Sequence, residues 1–580
     1  MLFRSVTAAP AAPAAPVLPF SLTQNAVGYT ASNLRFAIGP TTYVVPTAEI
    51  RGTSLGKDEL ASLLDPNSGV TLADRIARLA ASEISIPEMR AETTIAAGRQ
   101  AATYRDIRVS NIGSGRIASA SAASGSFEAS GPEGPSRGTF ARTEMSELDL
   151  GLLMAVMNGG GGGSSEFRRA YGSFSIEGMT TEGPNGARAR IARLSGRDFK
   201  AKPTAQGWIA ALNALPAQTD LNKASPAERG RIVSAFADML DSFEIGSMEA
   251  TGIEFTEKGG KDAAGRISRI GYSGGASGSE FRIEGIDVGG DDGRVRVANF
   301  SIGGIALAPM LQAAREVAGK TELTASDMRR LVPIIASIRL SGIEVDTKGD
   351  AKTGEAPMKV SLGLLELLAD KPVESVPTDL RLNLRNLSVP IAAAAKDDTA
   401  KQLVGLGYDK IDASLTANFG WNEPGQELVI RELSVEGVGL GSVGFRGVIG
   451  NVTRDVFNPD QALAAIAWMG ATARSLDMVV QNTGLFERLL ARQAAEKKRS
   501  VDDLRREYGM TAAVGIPVML GNSAAAKALG QAVARFVAKP GRLSVEVRAR
   551  DAAGLGVADF AVAADPVALL DKVEINATAE

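Results

Sequence analysis

The sequence predicts an α+β fold, mainly antiparallel β, in which elongated, repeated, bulged strands and hairpins carry amphipathic helices on one face and lead into a helix-rich C-terminal unit. Three observations predict it. Short stretches of alternating apolar and polar residues recur from Tyr29 to Leu440, helices with capping signals stand between them, and 64 Gly with only 5% aromatic residues favour many short strands and turns over a packed helical protein.

The recurring stretch is clearest at Phe281 to Val288, FRIEGIDV. Apolar residues alternate with polar ones until Gly285, where the apolar phase slips by one position, which would send the later side chains to the opposite face. A β-bulge, adding one residue to one strand of a pair, would restore the facing, and Gly accepts the positive φ that some bulges need. The same form runs from Tyr29 with Asn33 at the slip, Ala102 with Asp106, Met248 with Gly252, Ile338 with Gly342, Leu382 with Asn386 and Leu433 with Gly437. With 44% hydrophobic residues, about one match is expected by chance, against seven found. Gly178 and Asn299 mark near misses. Gly, Asn and Asp are the residues that tolerate left-handed backbone.

In chain order, residues 1–24 read as an Ala/Pro-rich linker, which suggests a truncated or processed start. Residues 25–157 form a first β-rich unit with helices. Thr71 to Asp74 resembles a capping box and starts a helix at about 72 to 82. The Gly-rich run at 158–165 is a linker, and 166–346 hold further β-rich units. Ser225, Pro226 and Glu228 start a helix at about 226 to 241, and Thr324 to Asp327 start another that Pro333 ends or kinks. The slip positions 33, 106, 178 and 252 are about 73 residues apart, which suggests a repeat. Residues 347–454 read as an antiparallel meander and 455–580 as a helix-rich unit with closing strands. Its helices fall at about 459 to 471, from Val501 to Tyr508 with Gly509 as the stop, and at about 523 to 538.

Composition narrows the chemistry. His and Cys are absent, so Ser-His-Asp and Cys-His nucleophiles, thiol redox chemistry and zinc sites on imidazole or thiolate are excluded. With 63 basic and 66 acidic residues interspersed, there is no footprint for nucleic acid. No run of 18 apolar residues offers a transmembrane helix, the N-terminus has no apolar core of a signal peptide, and few aromatics are available for the girdles of an outer-membrane barrel.

Several motifs are better read as structure than as sites. Gly439 to Gly444 matches GxGxxG, but a strand follows where dinucleotide binding needs a helix, so a Gly-rich hairpin is the expectation. Asp287, Asp291 and Asp292 before Gly293 lack calcium-loop spacing and read as a hairpin turn. Glu249, Glu254, Glu284, Glu344 and Glu436 sit at polar strand positions, a solvated face rather than a glycosidase pair. Arg488 to Arg506 reads as an exposed helix laced with i,i+4 ion pairs. No catalytic, cofactor-binding or metal-binding residue is assigned, and no cofactor is expected.

Leu403-Val404 to Asp412, leading into the 411–450 meander, and ARFVAKPGRLSVEV (Ala534 to Val547) before ALLDKVEINATA resemble a group of uncharacterised, exported proteobacterial proteins. The strand, bulge and helix style is also similar to AsmA-like envelope proteins, a likeness of texture that carries no functional residue. Those proteins usually have an N-terminal membrane anchor, and this chain departs from them in showing none. The resemblance implies a bacterial envelope protein, periplasmic or otherwise exported. The leading expectation is a non-enzymatic scaffold or a carrier of lipid or another apolar ligand. The alternatives are a carboxylate-dependent hydrolase acting on glycans and a structural repeat protein that binds a protein partner only. The functional expectation is that the repeated strands line a shared apolar surface, larger than the helices from 72, 226 and 324 cover.

Overall fold

A computed structural model describes residues 20–38, 41–95, 98–131, 134–159, 166–213, 225–257, 263–275, 278–349, 356–391, 398–562 and 566–580. Strand makes up 53% and helix 27%, and the strand pairings are antiparallel, as the sequence led us to expect of an α+β chain dominated by antiparallel β. Most of the Ala/Pro linker, residues 160–165 of the Gly-rich run and residues 350–355 at the start of the expected 347–454 meander lie outside the described residues. The chain divides into two units, Met1–Thr219 with Asp238–Met248, and Asp220–Ala237 with Glu249–Glu580.

In the first unit the strands Gly28–Ile38, Thr41–Arg51, Ala81–Ile95 and Gly98–Gly113 pair in succession. The helix Lys57–Leu64 seals this part of the sheet, burying Leu60 against Val45, Ile50 and Ile84, with Leu63 also buried. Thr71 accepts a hydrogen bond from Asp74 N, and the helix it caps ends at Arg78, short of 82, because strand Ala81–Ile95 takes over the backbone. A second core gathers Leu152 and Val156 of helix Leu150–Asn158 with Ala170 and Ala201. Beside it Trp208 Nε1 donates to Ser242 Oγ at 2.7 Å, which satisfies a fully buried hydroxyl.

In the second unit an antiparallel meander runs from strand Ala263–Ser273 to Thr472–Asn482 and is completed by Arg542–Ala549 and Val573–Ala579. Helices occupy several of its connections. Gln461–Met469 follows its cap at Asp460, and ahead of the meander Pro226–Leu240, of which residues 226–237 belong to this unit, follows its cap at Ser225. Ala325–Arg330 has a full capping box from Thr324 and Asp327, and it stops before Pro333. Ala524–Ala538, capped by Ser523, is the helix expected at 523 to 538 and lies on the last strands. Gly509 does not end its helix, which runs from Val501 to Met519. A mid-helix Gly costs only about 1 kcal/mol, and packing along Ala524–Ala538 outweighs it.

The slip positions behave as one device. Asn33, Asp106, Gly178, Gly252, Gly285, Gly342 and Asn386 all lie inside strands with φ between 51° and 60° or slightly above, up to 65°. The expected mechanism needs correcting, because most of them add no residue. On both sides of Gly285 the pairing resumes in the same register, Glu284 with Asn299 and Ile286 with Val297. The partner strand therefore crosses the same level with its own unpaired residue. Ser268, Gly285, Ala298, Gly342, Gly363 and Asn386 line up across six strands, and every second one is left-handed. Only on the far side of Asn386 does the register shift, as in a true bulge. Gly437 is the exception: it closes strand Glu427–Gly437 at a turn and has no positive φ. Asn299 is likewise an ordinary paired residue.

Candidate apolar ligand face

On either side of this line each strand keeps two apolar residues three positions apart, such as Ile283 and Ile286, Val297 and Phe300, Leu340 and Ile343. A strictly alternating strand would point such a pair to opposite faces. Directly opposed residues in an antiparallel ladder share a face, so the pairings trace rows of side chains across the sheet. Ile270 stands opposite Ile283, then Phe300, Leu340 and Leu365 follow strand by strand. The row continues through Leu384, Leu415, Val435, Val443 and Val480 to Leu543. A parallel row begins at Tyr272, Phe281, Ile302 and Ile338 and ends at Phe445, Met478 and Val545.

No charged residue interrupts either row. With strands about 4.8 Å apart, ten steps make a strip of about 48 Å. Its C-terminal end is a true core, where Leu543, Val545 and Ala577 are buried under Leu529, Val533 and Phe536 of helix Ala524–Ala538. From Ile270 to Val480 the first row holds no buried side chain, and Val435 is 51% exposed. The sequence suggested the helices from 72, 226 and 324 as the cover; the one from 72 belongs to the first unit, and those from 226 and 324 do not pack broadly on these strands.

The opposite face is a lattice of ion pairs. Arg269 meets Glu249 at 2.7 Å, Arg282 meets Glu280 at 2.7 Å, and Arg339 meets Glu366 at 3.6 Å. Asp287 receives Arg294 at 2.6 Å and Arg266 at 3.1 Å, with Arg296 close by. The hydrogen bonds from Arg294, with the charge of the other two guanidiniums, hold its carboxyl down to about 2.

The other residues singled out in the sequence fall into structural roles. Gly439 lies in the turn between strands Glu427–Gly437 and Gly441–Gly450, and Tyr408 donates to its carbonyl at 2.7 Å, so the GxGxxG stretch is a hairpin. Asp291 and Asp292 form the turn before Gly293. Glu344 pairs with Arg296 at 2.9 Å, Glu284 with Arg282 at 3.5 Å, and Glu436 lies opposite Ser442 in the ladder. Within Arg488 to Arg506, Arg492 and Glu496 form the expected i,i+4 pair at 2.9 Å, while Arg488 lies over the Tyr408 ring and donates to two carbonyls. Among the described residues no group of three or more Asp and Glu could hold a metal ion, and no helix is long and apolar enough to cross a membrane.

Residues 434–580 match the model of a family described as "Uncharacterized protein". That match supports an uncharacterised family for the last quarter of the chain, the part that includes the Ala534 to Ala579 stretch. No curated protein and no solved structure matches the chain.

Proposed function

We propose that this chain is a non-enzymatic bacterial envelope protein whose second unit carries a lipid or another apolar ligand on the face between Ile270 and Val443. The observation that supports this is the pair of uninterrupted apolar rows on which, among the described residues, no helix packs broadly as far as Val443 and Phe445, although the same rows join a helix-covered core at Met478, Val480, Leu543 and Val545. Tyr272 has the only side-chain hydroxyl named in the rows, and hydrocarbon asks for no hydrogen bonds, whereas a protein partner needs about one per 100 to 200 Å². A scaffold role, with an amphipathic helix of a protein partner on the face, is the second reading, favoured by the way helix Ala524–Ala538 already seats there. The carboxylates proposed for a hydrolase have arginine neighbours at Glu249, Glu284 and Glu344, which suits a structural role better.

Titration of the full chain with a fluorescent fatty acid or phospholipid tests the reading. Saturable binding is expected, and Ile283→Asp and Ile343→Asp should each weaken it about tenfold or more, with far-UV circular dichroism unchanged. Absence of saturable binding by the wild type removes the carrier reading and leaves the scaffold.

A further inference from the structure

The strands of the second unit end at two rims, and the helices inserted there differ in chemistry. One rim is fixed by the pairs Gly303 with Ser337, Trp421 with Leu428, and Gly450 with Thr472. Helix Gln461–Met469, between Gly450 and Thr472, has no buried residue and exposes Leu463, Ile466 and Met469, the last two by more than 60%. Beside it Gly556 pairs with Thr472, and the helix that follows, Val557–Val562, exposes Val557 and Phe560. Arg329 donates to Phe457 O at 2.9 Å, which ties helix Ala325–Arg330, with exposed Met328 and nearby Val332, to the same rim. The turn between the two last long helices reaches it too, since Gly521 lies against Val567, and Val514, Val518 and Met519 are exposed next to that turn. From Tyr508 to Ala526 there is no charged residue.

The opposite rim holds Asp398–Gly405 and Leu485–Lys497, which are rich in charge and expose one large apolar side chain, Leu489, with Val438 in the hairpin turn. The charges on the first rim are largely neutralised in pairs. Lys320 meets Asp327 at 2.8 Å, Arg330 meets Glu316 at 2.5 Å, Arg454 meets Glu423 at 3.0 Å, and Lys572 meets Asp559 at 2.5 Å.

We infer that this rim docks on a zwitterionic phospholipid surface, with Ile466, Met469, Phe560 and Val518 as its anchors. Short helices with apolar outward faces lie at the boundary between headgroups and acyl chains without crossing it. Paired charges around them suit a layer of neutral dipolar headgroups, and the apolar face continues from Phe445 toward the same rim through Leu476, which is exposed and lies nearer the Gly450 and Thr472 ends. The inference rests on the carrier reading for its purpose, because an apolar rim gives acyl chains a water-free path between bilayer and face.

Flotation of the full chain with phosphatidylcholine vesicles is the test, in low and high salt and with phosphatidylglycerol added. The wild type should float with the vesicles in every condition. Ile466→Asp combined with Met469→Asp should lower the bound fraction about tenfold or more, while Leu489→Asp on the opposite rim leaves it unchanged. Failure of the wild type to float, equal flotation of the rim variant, or a rim variant that only converts an oligomer to a monomer overturns the inference. The last outcome makes a second copy the occupant. Probe titration of the same proteins separates the two ideas: binding of the fatty acid without flotation refutes the rim and keeps the carrier, and flotation without probe binding does the reverse.

Discussion

At the scale of single residues, the left-handed positions are the most informative. Gly342 has φ 61°, and a Cβ there would lie 2.6 Å from Ala298 Cβ, closer than carbons approach. Gly342→Val should therefore destabilise the second unit by about 1 to 3 kcal/mol in denaturant unfolding, through strain and crowding together. These positions were legible because the phase slip selects Gly, Asn and Asp. Others escaped. Asp198 with φ 53° follows Gly196 where the pattern asks for an apolar residue, and Glu147 with φ 53° is of a type the pattern does not admit, yet the two form a similar line with Ala118 and Gly172 and share Arg169 as a partner. Asp327 gives a second prediction. Lys320 and the amide and hydroxyl of Thr324 hold its carboxyl down to about 2, well below its value in an unfolded chain. A depressed carboxyl contributes stability above the unfolded pKa and loses it as protons bind the folded state. Its contribution should be complete at neutral pH and disappear between about pH 4 and pH 2. Asp327→Asn should flatten thermal stability against pH in that window; an unchanged slope would contradict the assignment.

At the scale of elements, capping signals located helices well and ended them poorly. Thr71, Ser225, Thr324, Ser500 and Ser523 each accept the expected backbone hydrogen bond, since a cap needs only residues within one turn. The end of a helix depends on distant packing, as Gly509 illustrates inside Val501–Met519. Hydrophobic spacing also marked which helices are amphipathic without saying what they cover. Leu60 is fully buried against Val45 and Ile50, so Leu60→Ala should cost about 2 to 5 kcal/mol and loosen helix Lys57–Leu64. Hydrogen exchange would report the loosening as lost protection in strands Gly28–Ile38 and Thr41–Arg51. Met469→Ala, on an exposed helix face, should change stability by less than about 0.5 kcal/mol, and this contrast measures whether a helix covers the sheet or faces outward.

At the scale of the whole molecule, apolar surface is shared unevenly. Among the described residues, the buried hydrophobic side chains concentrate up to Ala237 and from Leu490 on, while strands from Phe243 to Asn422 contribute Ala417 alone. Native protein should therefore bind the dye ANS at neutral pH with cooperative structure intact, and saturating fatty acid should displace it. Native chain that leaves the dye dark would mean the face is closed in solution. The alternation of apolar residues was visible from the sequence, but its cover was not, because cover depends on helices that follow their own strands and turn outward. The line from Ser268 to Asn386 has one further consequence. In a plain ladder a slide of two residues restores the facing of every side chain and is penalised only through changed neighbours. Here such a slide would take the left-handed residue of one strand away from its opposite number, so the line acts as a key that fits one alignment. Inserting two residues into strand Gly293–Ile305 on one side of Ala298 should thus misalign it with both flanking strands, Ser279–Gly290 and Ser337–Thr347, at once, where the same insertion in the Asn422 to Glu427 turn would pass unnoticed.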